Sequence, residues 1–397
     1  MAADPTERPA TSSRRPGLVP DVVDEPEQLT RLRHEVRAFI TDQISSGAFV
    51  PVVDGWLTAW DPTFSRALAE RHWIGMTIPR AYGGHGRSFM ERFVVTEELL
   101  AAGAPVAAHW IADRQIAPSL LRSGTEDQKH RFLPRIAQGD CFFGIGMSEP
   151  DAGSDLASVR TRADRVDGGW RVRGTKVWTS GAHRAEAFFV LARTEPADPA
   201  NRHGGLTQFI VDLRSPGVQV KPIVSMSGLA HFNEVHLDDV FVPDELVLGR
   251  PGSGWAQVTS ELGFERSGPE RFLSSFPLLT AVVREVASGE LPAVPDLGRM
   301  VARLAALHQM SMAVSWALEH GGRADVSAAV VKLLGTTAEG RVVELADRLG
   351  AQTLRPSSGP PVDELTRQAL MSRPGFTLRG GANEILHGVI ARGLGMR

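Results

Sequence analysis

The chain has 397 residues, 42% hydrophobic and 22% charged, with a formal net charge of -3. That is volume for two or three packed domains able to enclose a cofactor, and no basic cluster or acidic tail favours nucleic acid or an anionic membrane as a partner. The single cysteine, Cys141, excludes an internal disulfide, and the polar residues 1–20 have neither the apolar core of a signal peptide nor a spanning helix behind them, so a cytoplasmic protein is expected.

In chain order, residues 1–20 carry Pro5, Pro9, Pro16 and Pro20 without any apolar period and read as a disordered lead-in. Residues 21–139 read as an N-terminal helical domain. Leu29, Leu32, Val36, Phe39 and Ile40 recur at three and four, as do Phe93, Val94 and Leu100, and Thr125 with Gln128 resembles a capping box. Over 140–252 the period changes, with strand-like runs at 170–172, 188–192, 207–211 and 235–242 separated by Gly, Asp and Pro turns, which predicts a central β-domain. The helical period returns over 253–397, in 255–266, 299–319, 326–349 with Asp325 as its N-cap, 362–371 and 382–394. Residues 288–295, rich in Gly and Pro, read as a surface loop, and no solenoid repeat is present. The expected class is α+β.

Two segments carry chemistry. In Ile145-Gly-Met-Ser-Glu-Pro-Asp-Ala-Gly-Ser-Asp155, the small Ala152 and Gly153 leave backbone N–H groups, Ser148 and Ser154 free to approach an anionic ligand, although a Ser/Gly turn between domains has the same look. In Gly174-Thr-Lys-Val-Trp-Thr-Ser-Gly181, Trp178 suits a flat ring and Thr179 and Ser180 suit its polar edge, but a core Trp at a strand end is the commoner reading of those residues. His183 and His231 have no partners at metal-ligand spacing, so no metal site is expected.

The stretch Met147-Ser-Glu-Pro-x-Ala-Gly-Ser-Asp155 followed by Gly174-Thr-Lys-x-Trp178 resembles the paired flavin motifs of the acyl-CoA dehydrogenase family. The resemblance extends from about residue 29 to 394 and includes Ile78-Pro-x-x-Tyr-Gly-Gly84 and Val235-x-Leu-Asp-Asp-Val-x-Val-Pro243. It implies the acyl-CoA dehydrogenase fold: an N-terminal helical domain, a central β-barrel-like domain and a C-terminal helical bundle. It also implies FAD held by Ile145, Met147, Ser148, Gly153, Ser154, Trp178, Thr179 and Ser180, and an acyl-CoA substrate contacted by Ser154, Gly263 and Arg266.

The reaction implied is α,β-dehydrogenation to the trans-2-enoyl-CoA, a base taking the α-proton while the β-hydrogen leaves as hydride to flavin N5. Most of the family carries the base in a C-terminal Tyr-Glu-Gly-Thr-x-Glu-Ile motif, but here the match is Arg379-Gly380-Gly381-Ala382-Asn383-Glu384-Ile385, with Gly380 where the carboxylate belongs. A minority, including the isovaleryl-CoA and long-chain enzymes, places the base one helix earlier, before an arginine. Leu262-Gly-Phe-Glu265-Arg266 matches that placement, so Glu265 is the expected base. Without the resemblance, Glu261, Glu265, Arg266 and Glu270 read as a solvated helix surface at i, i+4 spacing. Pro269, whose ring opposes the carbonyl of Glu265, is expected to end or kink that helix, with Gly268 easing the break.

Two family elements that complete a neighbouring chain's dinucleotide site are degraded. No Arg-x-x-Phe-Gly motif occurs over 284–298, Asp347 replaces the Gln of a Gln-x-x-Gly-Gly-x-Gly motif, and Ala382 replaces a threonine. The resemblance therefore points to an oligomer, and to the α2β2 heteromers among bacterial members, with an electron-transferring flavoprotein as acceptor. A non-catalytic subunit shaping a partner's flavin site, or a flavin oxidase or monooxygenase on the same fold, are the competing readings.

Overall fold

A computed structural model describes residues 20–266, 268–322, 324–350 and 362–396, with the side chains of 261–265 left aside. The expected disordered lead-in lies, apart from Pro20, outside the described residues.

Helices α1 (Glu27–Ser45), α2 (Gly55–Thr58), α3 (Pro62–Ala69), α4 (Phe89–Ala101), α5 (Ala107–Ile111), α6 (Ala117–Ser123) and α7 (Glu126–Ala137) form the N-terminal domain. The five apolar residues noted on α1 are the ones it buries, and α1 packs on α4. Arg33 crosses that contact to Glu97 at 2.7 Å and Glu98 at 2.5 Å. Both capping boxes, Ser88 with Glu91 and the expected Thr125 with Gln128, are closed. Cys141 is buried, and burial pushes its thiol up to about 12, leaving it unreactive at neutral pH.

The central domain is an eight-stranded sheet. Strands β1 (Phe143–Gly146), β2 (Arg162–Val166), β3 (Gly169–Lys176), β4 (Ala187–Arg193), β5 (Leu206–Asp212), β6 (Val218–Ile223), β7 (Phe232–Pro243) and β8 (Val247–Leu248) run in the order β6-β7-β3-β2-β4-β5-β8, with β1 parallel on β4. β4, a near-continuous apolar run, and β5, which carries Thr207 and Gln208 among its apolar residues, are buried on both faces, whereas β7 alternates. The four expected strand runs fall in β3, β4, β5 and β7.

The C-terminal helices are α8 (Gly254–Arg266), α9 (Phe276–Ala287), α10 (Pro295–Glu319), α11 (Asp325–Gly350), α12 (Val362–Phe376) and α13 (Asn383–Gly393). Residues 288–294 form the expected loop between α9 and α10. Asp325 is the first helical residue rather than the cap, and α12 runs five residues past its expected end, through Pro374. As expected, α8 stops before Pro269, which opens a short 3₁₀ turn, Pro269–Arg271. One apolar core unites both helical domains: Leu29, Val36, Phe93 and Val94 share it with Phe272, Val331, Val343 and Phe376. The α8 end and the turn after it therefore sit where the two helical domains meet.

Candidate active site

The two flavin-like segments are wired together at the end of β3. Val177 N–H donates to the Ser148 carbonyl at 3.0 Å, and Lys176 Nζ donates to the Met147 carbonyl at 3.2 Å and to Glu149 Oε1 at 2.8 Å. Glu149 accepts two further bonds, from the backbone N–H of Arg160 at 2.7 Å and of Thr161 at 2.9 Å. Burial works to raise the Glu149 carboxyl, but the Lys176 ammonium and these donors hold it below the usual carboxylate range. A tight turn closed by Glu149 and Ala152 then leaves Gly153 and Ser154 exposed, with open space where a Gly153 side chain would stand.

Beyond Lys176 the chain turns sharply. Trp178 has φ +61, a left-handed conformation that costs a non-glycine residue about 1–2 kcal/mol, and its indole is 58% exposed, edge-on to Phe232. Asn233 holds this turn. It is fully buried, accepts from Thr179 N–H at 3.1 Å, donates from Nδ2 to the Thr179 carbonyl at 2.9 Å, and meets His183 Nδ1 at 2.9 Å. Gly181 N–H adds a bond to the His231 carbonyl at 2.8 Å. Trp178 is thus held outward by its neighbours, not packed in a core. Ser148, whose carbonyl takes the Val177 N–H, and Ser180, two residues past Trp178, are half-buried, while Thr179 is fully buried with its methyl toward Gly144, so its hydroxyl does not reach the surface. Ile145 and Met147 are half-buried at the end of β1 and just past it.

Gly263 and Glu265 lie in the last turns of α8; their side chains are outside the described residues. Arg266, which closes α8, is buried and donates from Nε to the Gly380 carbonyl at 3.1 Å. The turn before α13 is pinned from below by Lys332, whose Nζ donates to the Thr377 carbonyl at 3.2 Å, the Gly381 carbonyl at 2.7 Å and Asn383 Oδ1 at 2.9 Å. Gly380 (φ +69) and Gly381 (φ +93) both need left-handed backbone. A Cβ on Gly380 would stand 3.0 Å from the Arg271 guanidinium, and one on Gly381 would stand 3.1 Å from Arg266 Nη2. The seat that glycine leaves is therefore flanked by two buried guanidinium groups.

Beneath it, Ser274 N–H donates to Glu339 Oε1 at 2.7 Å, Ser274 Oγ accepts from Trp56 Nε1 at 3.1 Å and Arg379 Nη2 at 2.9 Å, and Arg379 pairs with Asp54 at 2.5 Å. Burial pushes the Glu339 carboxyl up to about 7. Its folded pKa lies above the ordinary 4.5, so between about 4.5 and 7 the native state binds more protons than the unfolded one, and the stabilisation is lost as pH rises through that window. Glu339→Gln is expected to flatten this part of a Tm-against-pH curve; an unchanged slope contradicts it.

Sequence reasoning missed Glu149, Lys176, Asn233, Arg271 and Glu339. Two of the chain's four lysines, Lys176 and Lys332, are fully buried; the apolar run Val330-Val-Lys-Leu-Leu334 was the available signal for Lys332, whereas Arg173-Gly-Thr before Lys176 offered none. Of the elements expected to be degraded, Asp347 is exposed on α11 and Ala382 caps α13, while 351–353 of the same motif lie outside the described residues. Among the described residues no group of three His, Cys, Asp or Glu side chains is placed to hold a metal ion, and no helix is long and apolar enough to cross a membrane.

Three family models match the chain: acyl-CoA dehydrogenase, N-terminal domain at 26–140, middle domain at 144–240 and C-terminal domain at 293–395. Acyl-CoA dehydrogenase IpdE1 of Mycobacterium tuberculosis is 38% identical over 79% of this chain and 82% of its own length. Acyl-CoA dehydrogenase FadE29 of the same organism is 32% identical over 80% of this chain and 84% of its own. Among solved structures, the Tcur3481-Tcur3483 steroid ACAD superposes with a TM-score of 0.81 at 30% identity, covering 94% of this chain and 99% of that one. The ChsE4-ChsE5 complex from Mycobacterium tuberculosis gives 0.75 at 28% identity, covering 94% and 99%. With all three domains matched in order and the helix–sheet–helix architecture in place, the chain belongs to the acyl-CoA dehydrogenase family, a family of flavoprotein oxidoreductases.

Proposed function

We propose that this chain oxidises the Cα–Cβ bond of an acyl-CoA thioester, holding FAD against Trp178 and the Met147–Ser154 loop and using Glu265 as the base. The observation that carries the cofactor assignment is the exposed indole of Trp178, held in left-handed backbone by Ser148, Asn233 and His231. A large aromatic presented to solvent by a buried polar framework suits a flat ring as its cover. Bound FAD supplies a two-electron acceptor for the hydride that leaves the β-carbon. The α-C–H bond breaks toward the Glu265 carboxylate, which takes the proton, and its electron pair becomes the new Cα=Cβ double bond. Arg266 positions the end of α8 by tying it to the Gly380 carbonyl.

Trp178→Ala separates this role from packing. The indole is largely exposed, so the unfolding free energy of the FAD-free protein should change by no more than about 0.5 kcal/mol, while the purified protein should retain several-fold less FAD by its absorbance ratio. Unchanged FAD content contradicts the assignment.

We further propose that the chain works in a heteromer, with a homologous subunit completing the adenine half of the site and an electron-transferring flavoprotein taking the electrons. The missing Arg-x-x-Phe-Gly motif, Asp347 and the exposed apolar side chains Leu378, Ile385, Leu394 and Met396 around α13 support this reading. Co-expression with a neighbouring homologue should raise FAD content and activity together; a full complement of both in the lone chain contradicts it.

A further inference from the structure

We propose that Arg92 forms an anion subsite that makes this enzyme select acyl groups bearing a carboxylate remote from the reacting carbons; the inference rests on the dehydrogenase reading above. Arg92 lies on α4, its side chain only 9% exposed, and lines a cleft bounded by α4, α10 and the Gly268–Pro269 break. Among the described residues its guanidinium has one carboxylate neighbour, Asp113 at 3.7 Å, beyond hydrogen-bond range, and no hydrogen-bonded partner. Asp113 is itself engaged through Oδ1 by Gly75 N–H at 2.8 Å. A desolvated guanidinium without a hydrogen-bonded anion is costly, and its planar fork matches a carboxylate through two parallel bonds.

Arg114, in the same cleft, makes the contrast. It reaches Glu270 Oε1 from Nε at 3.1 Å and Nη2 at 2.8 Å, so its charge already has a buried counter-ion. Arg114 is placed there by a single π-helical turn, Ala112–Ile116, a local irregularity that occurs often at functional sites. Phe89, Phe93 and Leu318 give the cleft apolar wall, and Thr96 and Ser315 add hydroxyls beside the arginine. That combination suits the narrow end of an aliphatic chain that terminates in an anion.

The cleft adjoins the reacting centre along the chain. Gly268 and Pro269 are the third and fourth residues after Glu265, and the wall at Gly268 admits no side chain, because a Cβ there would run into the Arg114 guanidinium and Glu270 Oε2. In this proposal the α-carbon of the acyl group sits at the end of α8 and its far end against Arg92, across the Gly268–Pro269 wall that both share.

The test compares ω-carboxyacyl-CoA thioesters with methyl-terminated thioesters of equal length, using the holoenzyme with its co-expressed partner. The wild type should prefer the carboxylate series in kcat/KM at one or more chain lengths, and Arg92→Gln should collapse the ratio between the two series by about 100-fold. Arg92→Lys should restore only part of it. A wild-type preference for the methyl-terminated series at every length, or a ratio unmoved by Arg92→Gln, overturns the proposal. Ligand-induced Tm shifts for the same pairs read the subsite without turnover: no thioester reducing the flavin removes the dehydrogenase reading, whereas equal Tm shifts from both series remove Arg92. The wild-type comparison needs no variant, so a poorly folding Arg92→Gln leaves the proposal open to refutation.

Discussion

Replacing Glu265 by glutamine should slow substrate-dependent bleaching of the flavin by on the order of 10⁴-fold, the upper range for loss of a positioned proton acceptor, while FAD content and Tm stay near the wild type. Glutamine keeps the size and helix propensity of glutamate, so α8 and its tie from Arg266 to the Gly380 carbonyl should persist. What it cannot do is accept the α-proton. No described residue at the C-terminal seat replaces the base: Gly380 has no side chain, and the space a side chain there would enter meets the Arg271 guanidinium. A variant that assembles, holds FAD and is reduced at the wild-type rate would remove Glu265 from the chemistry.

The second large effect is structural. Lys176→Met should destabilise the fold by about 3–5 kcal/mol, the usual loss when one member of a buried ion pair is removed. Lys176 is fully buried and Glu149 nearly so, and the pair joins the end of β3 to the loop after β1. Breaking it leaves the Glu149 carboxylate with only its two backbone donors, in a site that water barely reaches. Because the same lysine holds the Met147 carbonyl, the loss should also loosen the Ser148–Ser154 loop and lower FAD retention. Chemical denaturation monitored by circular dichroism, with FAD content measured on the same samples, checks both parts; a change below about 1 kcal/mol would show the pair to be dispensable.

These two residues show how legibility divided. The helices with clear three-and-four spacing and the strands with long apolar runs could be read directly, since local periodicity carries that information. β1, β2, β6 and β8 could not: β1 is Phe-Gly-Ile-Gly, β2 is largely polar, β6 is half-exposed along its length and ends near Pro222, and β8 is two residues long. Their strand state comes from pairing with neighbours such as β4 and β7, which no single segment announces. The same limit applies at the site. Trp178, Ser148 and Glu265 stand in motifs, where spacing and resemblance mark them. Asn233 beneath the Trp178 turn and Arg271 beneath Gly380 act through contacts made only when distant segments meet. Thr179 lies in the motif, yet its side chain turns inward, which spacing alone does not show.

The relocated base is tested most directly by isolating proton removal from hydride loss. A 3-thia-acyl-CoA has sulfur at the β-position and no β-hydrogen to leave, so in heavy water the only reaction open to it is exchange at the α-carbon. Followed by NMR with the holoenzyme and its co-expressed partner, the α-hydrogens should wash out in the wild type and persist in Glu265→Gln. Washout continuing at an undiminished rate in that variant would mean that another group takes the α-proton.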